Sequence, residues 1–391
     1  MINYDYIVLG IFIIFLLIFY VKKRKKIEFQ GIVALYRTKL GTIFSKRVVS
    51  KAPKFFKYYG YLGIVVGFIG MIFIFYFLLK GSLNLIINPN ATPIVAPVLP
   101  FIKIPGLPTL LFTYWIIGIF VVATIHEFSH ALLSVTHKIK IKSSGFAFFG
   151  PLPAAFVEPD EKQLQKKSKT AQLSVFAAGP MANIVTGLLF LLILSFIISP
   201  SILATGNVGF KIVDIAKESP AELAGLKEGM IIEKINGLKA SPKNLTGVIS
   251  KLAPNKTLII ESKNKTFSLI TGEDPKNKSK GFIGISIASH LEAKQKTNKI
   301  FFSSLLWINQ LFIWLFIFSL GIGLVNLLPL GPLDGGRMIF TALTFFTTNK
   351  KTIKRIFNLI SLVSLLIIII NFLPWITKFF LWFGRFMGLV S

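Results

Sequence analysis

Between Asp5 and Val21 the chain reads DYIVLGIFIIFLLIFYV and is followed at once by KKRKK. A run of this kind suits the roughly 20 residues that an α-helix needs to cross about 30 Å of hydrocarbon. No small-residue cleavage site follows it, so it reads as an anchor and not a removed signal. Five further apolar runs lie near 59–80, 112–136, 173–198, 301–327 and 356–383, the last interrupted near Pro374. Lipid offers the backbone no hydrogen bonds, so each run must satisfy its own amides, as a helix does. The predicted fold is a polytopic α-helical membrane protein of about six spans. A hydrophobic share of 53% and a mean hydropathy of +0.69 over 391 residues agree.

A net charge of +28 would alone suggest nucleic acid or an anionic surface. The lysines lie mainly between apolar runs, however, where they orient the chain in the bilayer. Twelve Lys and Arg residues fall between Lys22 and Lys57, a second basic loop runs from Lys138 to Lys169, and NKKTIKR starts at Asn349. With six spans these loops share one side, which the positive-inside rule assigns to the cytoplasm. The expectation is a multi-pass protein of the cell membrane with the lipid bilayer as a partner and no nucleic acid. The loop 81–111 and the segment 200–299 then lie outside, since long segments translocate largely regardless of charge. No cysteine is present, which excludes thiol chemistry, disulfides and cysteine–zinc sites.

Two stretches do not read as ordinary connectors. Six prolines between Asn88 and Pro108 are too many for a helix, yet the stretch is apolar enough to cap the bundle or dip into the outer leaflet. IEFQGIVALYR (Ile27 to Arg37) and IKIKSSGFAFFGPLPAAFVEP (Ile139 to Pro159) show alternating or glycine-bounded patterns that suit strands. Cytoplasmic surface loops are the alternative.

Residues 204–292 change character, with strand-length apolar runs and turn residues. In KESPAELAGLKEGMIIEKINGLKA Ser219 can cap a helix with Pro220 at its first position. Gly225 can close that helix in the left-handed conformation, and MIIEKING gives a strand ending in an Asn236-Gly237 turn. Further strands are predicted at 208–215, 257–262, 265–270 and 282–287. The pattern SPA…AGL…G…I…ING resembles a PDZ domain of the bacterial and archaeal protease-associated type. That resemblance implies a small α/β domain, outside the membrane, that takes a peptide ligand by strand addition. A packed domain acting only as a steric plug is the alternative.

The third run carries VVATIHEFSHALLSV, and two of the chain's 4 histidines stand in it. His126 and His130, at i and i+4, project from one helical face. That spacing lets both imidazoles reach one Zn²⁺ and leaves room for a third ligand and a water. Glu127 lies beside such a water and can take its proton, which the metal makes labile near neutral pH. A solvated polar helix face is disfavoured, because mostly apolar residues lead directly into the motif and ionisable groups inside a span are functional by default.

Three residues compete for the third ligand. His137 lies two turns beyond His130, too far to share one metal. Glu158 would imitate soluble metalloproteases. Asp334 follows a break at Pro329, Gly331 and Pro332 in NLLPLGPLDGGRM, where breaking the helix lets a carboxylate turn inward. A helix N-cap at the cytoplasmic surface explains Asp334 equally well on these grounds.

Taken in order, His126 to His130, the AGPMAN stretch from Ala178 to Asn183, and NLLPLGPLDG from Asn326 to Gly335 resemble the site-2 protease family of intramembrane zinc metalloproteases. The likeness covers about residues 110–340. It implies that His126, His130 and Asp334 hold one zinc ion per chain, that Glu127 is the general base, and that Asn183 and Asn326 lie near the scissile peptide or its oxyanion. It further implies hydrolysis of peptide bonds within or next to transmembrane helices of membrane-anchored substrates, as in regulated intramembrane proteolysis, with the active site towards the cytoplasmic side. Gly179 and Pro180 are expected only to let the fourth span approach the third.

The expected organisation is 1–111 for the N-terminal spans and basic loop, 112–203 for the first part of the protease core, 204–292 for the PDZ-like domain and 293–391 for the second part of the core. Two rival readings remain. One is a non-enzymatic membrane scaffold or sensor with a structural metal and a peptide-binding PDZ domain. The other is a zinc or proton transporter, against which stands the lack of an internal repeat.

Overall fold

The computed structural model describes residues 4–386 except 32, 89–90, 102–106, 151, 242–243, 246, 249–250, 263–264 and 275–276. Contacts divide the chain into two compact units, Met1–Leu194 with Gln310–Ser391, and Ser195–Asn309.

The first unit is built on helices. In chain order its elements are α1 (Tyr4–Lys23), β1 (Ile27–Gln30), β2 (Val33–Thr38), α2 (Leu40–Lys51), α3 (Pro53–Ile87), α4 (Phe112–Thr136), β3 (Ile141–Phe149), β4 (Leu152–Pro159), α5 (Glu161–Gln165) and α6 (Lys169–Ile193). Among the described residues six helices are long and apolar enough to cross a membrane: Tyr4–Lys26, Pro53–Ile87, Phe112–Thr136, Lys169–Thr205, Lys299–Asn326 and Lys350–Leu381. The six expected runs thus all form helices. α6 is the hub, packed on α3 and α4, and its segment Ala171–Asn183 is almost wholly buried. Small residues make that possible. The buried face of α3 carries Gly60, Gly63, Gly67 and Gly70, so its backbone approaches Ser174 and Ala177 of α6 closely.

The strand-like stretches do form strands. β1, β2, β3 and β4 make one antiparallel sheet in that order, with Tyr36 opposite Phe146 and Phe146 opposite Ala155. Its outer strands are β1 and β4, and β4 packs along α4. The Pro-rich stretch lies partly outside the described residues, at 89–90 and 102–106. Its described part is tied to the helices, because Trp115 Nε1 donates to Val98 O at 2.9 Å and Trp375 Nε1 to Val95 O at 2.7 Å.

The second unit has its own aliphatic core, made by Phe210, Ile212, Leu226, Ile232, Ile235, Leu258, Ile260 and Leu269. Its elements are α7 (Ser199–Thr205), β5 (Gly206–Ile215), α8 (Pro220–Leu223), β6 (Ile231–Ile232), β7 (Lys234–Ile235), β8 (Leu238–Lys239), β9 (Thr257–Ser262), β10 (Lys265–Ile270), β11 (Gly272–Asp274), β12 (Asn277–Phe282) and β13 (Ile285–Ala293). Sheets of order β10-β9-β7-β8 and β13-β5-β6 flank the core, beside a β11-β12 hairpin. Ser219 caps α8 by accepting from Glu222 N, with Pro220 at the start. Gly225 (φ 80°) follows the helix end, and Asn236 and Gly237 (φ 49° and 74°) make the β7-β8 turn.

Two strands differ from expectation. MIIEKING splits at Glu233 into β6 and β7, which join different sheets. FIGISI is cut at Gly284, whose φ of 78° cannot continue a strand.

The chain closes with α9 (Lys299–Asn326), α10 (Asp334–Phe346) and α11 (Lys350–Phe386). Pro374 does not interrupt α11. A proline inside a membrane helix is tolerated where neighbouring helices and side chains re-satisfy the backbone around it.

Candidate metal centre

Helix α4 sets His126 and His130 one turn apart, with their Nε2 atoms separated by 3.2 Å. Asp334 Oδ2 comes within 3.0 Å of the first and 3.3 Å of the second. The carboxylate gets there because the chain leaves α9 at Asn326, turns at Pro329 to Leu333 and re-enters a helix at Asp334. Leu333, not Asp334, occupies the N-cap, so the carboxylate is not spent on capping the helix it begins. The reversal is tight. A Cβ at Gly335 or Gly336 would strike the carbonyl groups of Leu327 or Leu330.

The ligand atoms of His126, His130 and Asp334 all lie within 4.8 Å of one another. Two imidazole nitrogens and one carboxylate oxygen make a donor set suited to a zinc site with an open position. The facing wall fits as well. A Cβ added to Gly179 of α6 would sit 2.5 Å from the Nε2 of both histidines, so only glycine leaves room for an ion there. The expected close approach of these two spans therefore falls at the imidazoles themselves.

Both rings are held from behind by α6. His130 Nδ1–H donates to Val175 O at 2.7 Å, which leaves its Nε2 lone pair facing the cluster. His126 Nδ1 lies 3.1 Å from the amide of Asn183. Asn183 is fully buried, and its Oδ1 is without a partner among the described residues. The two orientations of an amide have the same shape and are told apart only by hydrogen bonding. Half a turn puts Oδ1 on an Nδ1–H, satisfies the orphaned oxygen and frees Nε2 of His126 as a ligand.

Expected next to the scissile peptide, Asn183 thus stands behind a histidine, away from the cavity. Asn326 does reach the cavity wall, with its Nδ2 donating to Ile322 O at 3.0 Å. The cavity has a volume of about 240 Å³, and His126, Glu127, His130, Val157, Asn326 and Asp334 are among its lining residues. Glu127 Oε2 there accepts from Val157 N at 3.2 Å.

Neither competing third ligand is near the group. His137 Nε2 meets Ser174 Oγ at 2.6 Å. Glu158 accepts from Arg37 and Ser143, both at 2.7 Å, and the guanidinium hydrogen bond holds its carboxyl below the usual range. Three contributors escaped the sequence reading. The Val157 amide and the Val175 carbonyl are main-chain groups, which no side-chain pattern announces. Arg337, on the cavity wall, stands three residues after Asp334, a helical spacing that was open to inspection.

Comparison with known proteins points the same way. The model of peptidase family M50 matches residues 114–370. Uncharacterized protein MJ0971 of Methanocaldococcus jannaschii is 28% identical over 318 residues, which cover 78% of this chain and 76% of that protein. Zinc metalloprotease RasP of Shouchella clausii is 26% identical over 235 residues, covering 48% of this chain and 54% of the relative. The chain thus spans about half the length of RasP. Since the family match takes in more than half of the chain, including both halves of the His–His–Asp group, this protein belongs to peptidase family M50, the site-2 protease family of membrane metalloproteases.

Proposed function

We propose that the chain is an intramembrane zinc endopeptidase that cuts peptide bonds within or next to the transmembrane helices of membrane-anchored proteins. The observation that carries this reading is the meeting of His126, His130 and Asp334 around one point, with Glu127 beside them on the cavity wall. Zinc held by those three residues supplies a Lewis acid that activates a water and polarises a carbonyl. Glu127 takes the proton of the attacking water and passes it to the leaving amine. Asn326 pairs with the substrate backbone in the cavity, while Asn183 fixes the tautomer of His126.

A helix satisfies its own amides and must unwind before it can be cut. In the four-stranded sheet Phe146 is paired on both sides, and the outer strands β1, which begins at Ile27, and β4 are its edges. The edge suited to this role is β4, whose Val157 amide points at Glu127. Substrate added there by strand pairing passes directly beneath the base.

The unit Ser195–Asn309 acts in this reading as an extracytoplasmic PDZ-like domain that screens or recruits substrates, with the active site towards the cytoplasm. Support comes from its two sheets with a capped helix and from the basic loops on the other side of the spans. Gly206 and Ala293 are paired neighbours, so the domain can be excised at that point. Excision is expected to widen the range of membrane proteins cut, and unchanged selectivity would remove the screening role.

The decisive experiment is Glu127→Gln in purified protein given single-span substrates, with zinc content measured alongside. Cleavage is expected to fall by ~10²–10⁴-fold with zinc retained. Undiminished cleavage in this variant would remove Glu127 as the base, and no cleavage by the zinc-loaded parent would favour a scaffold with a structural metal.

A further inference from the structure

The stretch His137 to Lys142 reads HKIKIK. Ile139 and Ile141 are buried, at 3% and 5% exposure, so the strand period sends Lys140 and Lys142 to the opposite, exposed face. Lys138 stands on the turn just before. Across from this row runs a second one. Lys39, Thr42 and Lys46 are spaced i, i+3 and i+7 at the start of α2, one face of a helix. The two rows enclose a recess of about 700 Å³, lined by Lys39, Lys46, Lys138, Lys140 and Lys142 and by no carboxylate.

Arg37, also on its wall, is already engaged by Glu28 and Glu158. Among the described residues none of the five lysines has an ion-pair partner. Like charges gathered in a concave surface focus a positive potential and repel one another until an anion enters. Positive-inside bias alone asks only that lysines lie on one side. It does not ask two periodic rows from different elements to converge where the neighbouring acid, Glu158, is already paired with Arg37.

One rim of the recess is apolar. Val135, near the end of the membrane-length helix α4, lines it, and Ile43, next to Thr42 on α2, is 60% exposed. We propose that this recess binds the phosphate of an anionic phospholipid, with the lysines and Thr42 around the headgroup and the acyl chains over Val135 and Ile43. Free phosphate would satisfy the lysines but leave that rim bare, so the lipid is the favoured source.

The test uses the full chain in detergent, titrated with short-chain phosphatidylglycerol, phosphatidylcholine or inorganic phosphate and read by native mass spectrometry. One phosphatidylglycerol per chain is expected, bound more tightly than either alternative. Each lysine near an anionic lipid surface contributes about fivefold in affinity. The triple variant Lys46→Gln, Lys140→Gln, Lys142→Gln should therefore bind about 100-fold more weakly. The charge-matched control Lys22→Gln, Lys23→Gln, Lys25→Gln should bind like the parent.

In phosphatidylcholine the triple variant should melt no lower than the parent, which separates lost binding from lost fold. If it melts lower, the single variants, each expected to bind about fivefold more weakly, carry the test. Equal weakening in the control, phosphate bound as tightly as the lipid, or binding without saturation would each overturn the proposal.

Discussion

The two units treat buried polar groups differently. In the membrane-helix unit such groups reach far along the chain. Asp5, 0% exposed on α1, accepts from the Phe112 and Thr113 amides at 2.5 and 2.9 Å and from the Thr113 hydroxyl at 2.6 Å. Asn371 donates to Leu78 O at 3.0 Å and to Ser82 Oγ at 2.7 Å, and His126 meets Asp334. In the inserted unit Thr297 reaches back 92 residues to Thr205 O, but the buried polar side chains find partners nearer in sequence. Ser219 accepts from Glu222 N, Asn244 N donates to Ser241 Oγ, and the Thr271 hydroxyl donates to Ala253 O. Water explains the contrast. A domain in water leaves surplus polar groups at its surface and buries those that close a turn or cap. A helix in lipid has no such outlet, so a polar side chain inside the bundle bonds back to its own helix, as Ser129 does to Ile125 O, or reaches another element.

Asn183 bears most strongly on this difference between the units. If the long-range partner of His126 is there to orient a ligand, Asn183→Ala should weaken zinc binding by about 10–100-fold, measured by competition with a chelator. If the residue instead stabilises an oxyanion, zinc affinity should stay put while kcat falls by ~10²–10³-fold. The second outcome would restore the role first expected of it and would remove orientation from the account.

The same contrast explains what could be read in the sequence. Spans, strands, the Ser219 cap and the Asn236-Gly237 turn follow from neighbours within a few residues, and they stand where periodicity and turn chemistry put them. The nearness of His126 and His130 was legible because a helix makes i and i+4 adjacent. Asp334 was not settled by its surroundings, since a carboxylate after a helix break suits a cap as well as a ligand; the family resemblance decided it. Asn183 lay in a motif, but its nearness to His126 was not read there, because nothing local says which ring a buried amide faces. The splits at Glu233 and Gly284 failed for the opposite reason. Each stretch is locally a good strand, and sheet membership is decided by distant partners.

Asp5 and Ser219 test the contrast as a pair. Both serve the start of a helix, α4 and α8 respectively, but Asp5 does so from another helix and Ser219 from the adjoining residue. Asp5→Ala leaves buried amides of α4 without acceptors, at a cost of about 1–3 kcal/mol, and removes a link between α1 and the helix that carries His126. Thermal unfolding in detergent should shift down, with earlier hydrogen exchange at the start of α4. Ser219→Ala removes a single cap bond worth about 1 kcal/mol. Its effect should stay within the inserted unit, as faster exchange around Glu222 with zinc affinity unchanged. Were Ser219→Ala to weaken zinc binding, the inserted unit would have to be coupled to the metal centre, and the separation by solvent drawn above would fail. Were Asp5→Ala silent in both stability and exchange, α1 would not be fastened to α4 by its carboxylate at all.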